Sequence, residues 1–185
     1  MPDDPTDPAE RRLALVRDFV NTADLEANED AIATAQGLSS WLGERGLLDR
    51  QAGVAEDDVP RVLAFREAIR SLLWSNAGEE LDELAFDVLN DQARRSPLAV
   101  CFEGPREIDM VGLDGGVDGA LGRLLGIMYT AMADGSWYRL KSCRKDSCRW
   151  AFYDRSRNRS RSWCSMSVCG NRMKATRFRE RRGDD

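Results

Sequence analysis

Cys143-Arg-Lys-Asp-Ser-Cys148 and Cys164-Ser-Met-Ser-Val-Cys169 stand fifteen residues apart in a chain of 185 residues. Each is a C-x4-C pair. Two such pairs flanking a polar loop match a four-cysteine zinc site, with spacers at the long end of the usual range. Zinc takes four soft thiolates at tetrahedral corners, and two short loops supply them in pairs. Arg144, Lys145, Arg149 and Arg172 lie nearby and are expected to favour the thiolate form. The competing reading is two disulfides, which a reducing compartment disfavours. Four protein ligands close the coordination shell. The expected cofactor is therefore one structural Zn2+, with no open position for catalysis.

Working outward, the loop between the pairs runs Arg149-Trp-Ala-Phe-Tyr-Asp-Arg-Ser-Arg-Asn-Arg-Ser-Arg-Ser-Trp163. Trp150 to Tyr153 reads as a strand. Arg155, Arg157, Arg159 and Arg161 then alternate with Ser and Asn. Guanidinium forks match phosphate oxygens, and the small polar side chains add hydrogen bonds. A disordered, solvated loop is the alternative. From Cys169 a helix is expected to run to Arg182, with Cys169, Met173 and Thr176 turned towards the metal. Its other side carries Asn171, Lys174, Phe178 and Arg181, with Arg177 beside them; Arg172 is a further candidate contact. Such a face suits DNA or RNA; Phe178 is equally suited to pack on the rest of the protein.

The formal charge of −5 conceals two opposite regions. Residues 1–138 hold 12 Lys/Arg and 27 Asp/Glu, a balance of −15. Residues 139–182 hold 15 Lys/Arg and 3 Asp/Glu, a balance of +12. A basic block of that density is the footprint of a polyanion partner. The plainer reading is a surface that pairs with the acidic region.

The chain has no histidine. That excludes Ser-His-Asp and Cys-His catalysis and zinc hydrolases with histidine ligands. No enzyme is expected: the carboxylates of the first region form no recognisable catalytic pair. No apolar run reaches the roughly 20 residues of a membrane helix. The acidic start has no secretory pattern, so the cytoplasm is the expected location, with no membrane partner.

Residues 1–8 are expected to fray. Helical periodicity follows over 9–21 (Leu13, Val16, Phe19, Val20) and from Leu38 towards Gly46. Asp57 and Asp58 open a third helix with Val62, Phe65, Ile69, Leu72 and Leu73 on one face. Leu81, Leu84, Ala85, Val88 and Leu89 mark a fourth. Leu98–Glu103 and Arg106–Leu113 form an expected hairpin about Gly104-Pro105, with Cys101 as a core residue. Residues 117–133 make the strongest helix, with Val117, Leu121, Leu124, Leu125, Met128, Ala131 and Met132 on a wide apolar face. The expected class is α+β: a mostly helical domain with a β-hairpin over 9–136, then a small four-cysteine module over 139–182 ending in a basic helix. Only a few residues separate the two, so the module is expected to dock.

The run Cys143-x4-Cys148-x-Trp150-x-Phe152-x-Asp154-x-Ser156-x-Asn158, then Trp163-Cys164-Ser165-Met166, then Cys169-Gly170-Asn171-Arg172, resembles the CGNR zinc-finger family. In that family an ABATE domain commonly precedes the finger. Leu13-Ala-Leu-Val-Arg-Asp-Phe-Val-Asn-Thr22, Trp41-Leu42 and Gly46-Leu47 look like its opening. The resemblance implies a bacterial, stress-linked transcription regulator with a DNA-binding finger, nucleoid-associated when bound. It carries Cys143, Cys148, Cys164 and Cys169 over as zinc ligands, and Asn171 and Arg172 as motif residues.

Three functions are compatible with these residues. The first is a DNA-binding regulator whose helical domain dimerises or senses a signal; a homodimer would lengthen the short site one finger reads. The second is an RNA binder, with Trp150, Tyr153, Trp163 and Phe178 stacking on bases. The third is a ligand sensor whose finger contacts protein, with Asn21 and Trp41 lining a pocket. The plainer roles for those two residues are a helix end and a core side chain.

Overall fold

The computed structural model describes residues 7–48, 52–105 and 107–173. Helix α1 spans Pro8–Val20. Asp7 caps it by accepting a hydrogen bond from the Ala9 N–H at 2.9 Å, and Pro8 takes the first turn, where no donor is needed. Asp7 and Pro8 are therefore ordered, against the expected fraying of residues 1–8, of which 1–6 lie outside the described residues. A two-residue hairpin follows, β1 (Ala23–Asp24) with β2 (Glu29–Asp30), which the sequence did not suggest. Then come α2 (Ala35–Glu44), α3 (Asp58–Asn76) and α4 (Leu84–Arg95). The hairpin β3 (Leu98–Gly104) with β4 (Glu107–Gly112) is antiparallel and leads into α5 (Gly116–Ala133). A 3-10 turn, Trp137–Arg139, delivers the chain to a last antiparallel hairpin, β5 (Leu140–Ser142) with β6 (Ala151–Tyr153). A wide helical turn at Met166–Gly170 ends in helical backbone at 171–173. The architecture is α+β, as expected. Among the described residues no helix is long and apolar enough to cross a membrane.

The apolar faces predicted for α1 and α3 are the buried ones: Leu13, Val16, Phe19 and Val20 meet Val62, Phe65, Ile69 and Leu73 in one core. Phe19 sits between Trp41 and Phe65, at ring-centre distances of 5.5 and 6.0 Å. Three expected core positions differ. Leu84 is exposed, because it opens α4 on the outer side. Met132 is exposed, on the outer side of the last turn of α5. Cys101 is only partly buried, because its two-stranded hairpin has no sheet stacked on both faces.

Helix α5 meets β4 through glycine. A Cβ on Gly119 would lie 1.9 Å from the Asp114 carbonyl oxygen. One on Gly126 would lie 2.9 Å from the Met110 carbonyl oxygen. The helix backbone thus rests directly on the strand. Gly119→Ala should therefore lower stability by about 1–3 kcal/mol in urea melts, as overpacking does; an unchanged midpoint would show that the turn at Asp114 yields freely.

The last hairpin joins the two halves of the chain. Strand side chains alternate between faces. Leu140, Ala151 and Tyr153 enter the helical core, while Phe152 packs among the cysteines. Around this seam the polar groups are paired. The Asn21 amide bonds Ala151 twice, donating to its carbonyl at 2.9 Å and accepting from its N–H at 2.7 Å. In effect it acts as one more strand residue. Asn76 donates to the Trp137 and Leu140 carbonyls at 3.0 and 2.9 Å. Buried Arg70 donates to the Val20 carbonyl at 2.6 Å and the Arg149 carbonyl at 3.0 Å. The four-cysteine module is docked on the helices, as its short connection suggested.

Candidate metal centre and nucleic-acid face

Strand pairing brings the first cysteine pair into place. The Cys143 N–H donates to the Trp150 carbonyl at 2.9 Å, extending the β5–β6 ladder by one step. The Cys148 N–H closes a tight turn on the Lys145 carbonyl at 2.8 Å. The second pair sits on the wide turn. Ser165 opens it by accepting from the Val168 N–H at 3.3 Å. Gly170 is closely approached there: a Cβ would lie 2.6 Å from the sulfur of the flexible Met166 side chain and 3.2 Å from the Trp163 ring.

The four sulfurs lie within 4.8 Å of one another. Cys148 and Cys164 are 3.7 Å apart, and Cys164 and Cys169 are 3.6 Å apart. A zinc–sulfur bond of about 2.3 Å separates tetrahedral sulfurs by about 3.8 Å. A disulfide would bring a pair to about 2.05 Å. The donor set fits one zinc ion and no disulfide. Phe152, Trp150 and Trp163 pack around the cluster.

Thiols this close share few charges without a cation. Hydrogen bonds from Cys148 and Cys164 push the Cys143 thiol far down. The contact with ionised Cys143 in turn pushes the Cys148 thiol up, and that of Cys164 up to about 12. A divalent cation replaces the shared protons and lets all four ionise. The cations expected to favour the thiolates have other partners. Arg144 pairs with Glu79, Lys145 with Glu26, Arg172 with Glu26 at 3.1 Å, and Arg149 with Asp146. Arg149 also stacks 4.5 Å from the Trp74 ring centre.

The arginine-rich loop is held by a residue whose role was legible only as a motif letter. Asp154 is fully buried. It accepts hydrogen bonds from Lys141 Nζ at 2.8 Å, the Ser156 N–H at 2.9 Å and the Arg161 N–H at 3.0 Å. Burial acts to raise its pKa, but the bonds from Lys141 and Ser156 outweigh it and hold the carboxyl below the usual range. Lys141 also donates to the Arg159 carbonyl, and Arg139 to the carbonyls of Asp154 and Ser156. The loop is thus pinned at four residues, contrary to the disordered alternative.

The four alternating arginines separate into three environments. Arg155 forms a two-pronged ion pair with buried Glu10, at 2.7 and 3.0 Å. Arg161 turns back, donating to the Trp163 carbonyl at 2.8 Å and to that of Cys164, with its guanidinium 4.9 Å from the Phe152 ring centre. Arg157 and Arg159 are exposed. Asn171 donates to the Ser167 carbonyl at 3.2 Å, bracing the ligand turn. Lys174, Arg177, Phe178 and Arg181 lie outside the described residues. The plainer charge reading thus accounts for Arg144, Lys145, Arg155 and Arg172, each paired with a carboxylate of the helical region. Asn21 and Trp41 fill their plain roles, helix end and core, and also line one groove.

Two outcomes follow from this geometry. Cys164→Ser should lose the metal and unfold the module, seen as zinc release with a lowered melting point; zinc lost at an unchanged melting point would refute a structural role. Asp154→Asn leaves Lys141 buried beside a neutral partner and should cost about 3–5 kcal/mol. Faster amide exchange at Ser156 and Arg161 would accompany it; unchanged exchange would show that the loop holds its shape without the carboxylate.

Comparison with known families agrees with this site. A family model described as "CGNR zinc finger" matches residues 139–182, and ABATE, described as "Putative stress-induced transcription regulator", matches residues 13–124. A search of curated proteins finds no match. The four cysteines are placed to hold one metal ion, and the finger's family fits structural zinc. With the ABATE match covering more than half of its length, the chain belongs to the ABATE family and carries a CGNR zinc finger at residues 139–182.

Proposed function

We propose that the protein is a zinc-dependent, DNA-binding transcription regulator and not an enzyme. Residues 139–182 form its nucleic-acid module. Residues 9–136 sense a signal or dimerise. The observation that carries this reading is how the finger's arginines are sorted. Those facing the helical domain are neutralised by its carboxylates, whereas Arg157 and Arg159 stand exposed on a loop pinned by Asp154. A cation on a fixed loop meets a phosphate with little ordering cost.

The acidic helical region repels a polyanion and so restricts contact to the finger's outer side. Lys174, Arg177 and Arg181, outside the described residues, belong to the same basic segment of the sequence and join the proposed contacts; Arg172, tied to Glu26, adds to them. Arg155 and Arg161 support the loop from within and contribute to binding through its shape. One finger reads few base pairs, so a homodimer on a two-fold site gives useful specificity. The same loop is compatible with RNA, which the test below distinguishes. The expected location is the cytoplasm, on the nucleoid when bound.

The test is a binding selection with zinc-loaded protein on random duplex DNA and random single-stranded RNA in parallel. A duplex consensus supports the proposal; enrichment of RNA alone overturns it. With Arg157 and Arg159 both changed to Ala, the slope of log K against log salt should fall by about 1.8 for B-DNA, from two lost phosphate contacts. An unchanged slope would place the contact elsewhere.

A further inference from the structure

Helix α5 covers only one end of the β3–β4 hairpin, where Gly122 meets Leu98 and Gly126 meets Met110. Val100 pairs with Met110 and Phe102 with Ile108, so these side chains share a face with Leu98 and Met110. Towards the hairpin tip the cover ends: Val100 is 53%, Ile108 64% and Phe102 77% exposed. Tyr129, one turn past Gly126 on the same side of α5, is exposed as well. Apolar side chains gathered in this way on one open face mark an interaction surface.

The backbone beside this patch is open too. The Leu113 N–H donates to the Pro97 carbonyl at 3.0 Å. Facing residues of an antiparallel pair alternate between hydrogen-bonded and non-bonded. Ala99 and Cys101 therefore turn their N–H and C=O groups to β4, and Leu98, Val100 and Phe102 turn theirs outward. The sheet has two strands, and among the described residues no third segment bonds to this edge. Edge strands are commonly protected by charge, yet Leu98-Ala-Val-Cys-Phe102 carries none. Pro97, which has no N–H, bounds the open edge on one side, and the register shift after Phe102 bounds it on the other. The outward groups are thus centred on Val100.

We propose that a second copy of this chain docks on this edge, its β3 antiparallel to the first and the two-fold axis at Val100. Val100 then faces Val100 of the partner subunit and Leu98 faces the partner's Phe102, each pair exchanging both backbone bonds. The exposed Phe102 ring gains an apolar neighbour, and one continuous sheet replaces two separate hairpins. Such a contact is self-complementary, as a two-fold interface must be. Charge favours the same occupant. The chain is basic just ahead of β3, at exposed Arg94 and Arg95, and acidic at its end, at Glu103. An antiparallel copy sets the basic start of one strand beside the acidic end of the other, whereas a parallel copy would set like charges together. The inference deepens the dimerising role proposed for residues 9–136 and rests on it.

The test uses the full zinc-loaded protein and no nucleic acid, so its failure leaves the DNA reading of the finger standing. In sedimentation equilibrium at micromolar concentration the mass should be twice the chain's 20.8 kDa. Val100→Lys sets two like charges at the axis and should return the mass of one chain. Its far-ultraviolet dichroism should match the parent's, because Val100 is exposed. A second variant reads the register. Ala99 faces Cys101 of the partner subunit in a non-bonded pair, with Cα atoms about 4.5 Å apart, within disulfide range. Ala99→Cys should therefore give a dimer linked between residues 99 and 101 when oxidised glutathione is added, seen on a non-reducing gel and mapped by mass spectrometry. Combined with Cys101→Ser it should not, since diagonal neighbours stand about 7–8 Å apart. A monomer throughout overturns the proposal and leaves the edge to an extended segment of another protein. A dimer unchanged by Val100→Lys, or one linked in another register, overturns it by placing the contact elsewhere.

Discussion

The β5–β6 hairpin has to satisfy two cores at once. Because side chains alternate along a strand, Ala151 and Tyr153 belong to the helical core while Phe152, between them, belongs to the zinc cluster. A shift of one residue in register would send each into the wrong environment. The Asn21 pairing with Ala151 and the Arg70 bond to the Arg149 carbonyl fix that register from the helical side. The cysteine knuckle fixes it from the other. Ligand geometry and the arginine loop both take their positions from this one ribbon.

Charge is arranged around the same seam. The sequence divides into an acidic and a basic region, and the fold places them face to face. Glu10, Glu26 and Glu79 meet Arg155, Lys145 and Arg144 across the junction. Exposed pairs of this kind contribute little individually, typically under about 1 kcal/mol. Arg155 with buried Glu10 differs, because losing Arg155 leaves a carboxylate buried without its guanidinium. What the pairing chiefly achieves is orientation: it selects which side of the finger keeps its positive potential.

Much of this was legible in the sequence, and the rest was hidden for physical reasons. The cysteine ligands could be read because metal geometry forces short, fixed spacings. Helices α1, α3 and α5 could be read because their apolar residues recur at the helical period. The fates of the arginines could not. Arg155 finds Glu10 across 145 residues, and no local pattern encodes a contact at that separation. Asn21 looked like a helix end, and it is one, but its bond to Ala151 is visible only once β6 is beside it. Asp154 appeared only as a letter in a motif; its buried position, which makes it the anchor of the loop, depends on Lys141 arriving from the opposite strand. The glycines of α5 were passed over because the helix pattern reads apolar residues and is silent about absent side chains.

The junction also has a consequence for synthesis. Asp7 and Glu10 are synthesised well before their partners Tyr153 and Arg155, which come 146 and 145 residues later in the chain. At about 5–20 residues per second the wait is on the order of ten to thirty seconds. Through that interval the helical core lacks Leu140, Ala151 and Tyr153, and the side of the molecule that will receive them is open to water. Closure arrives with the cysteines. Cys143 directly follows β5 and Trp150 directly precedes β6, so the ribbon that completes the helical core is the one that carries the first cysteine pair.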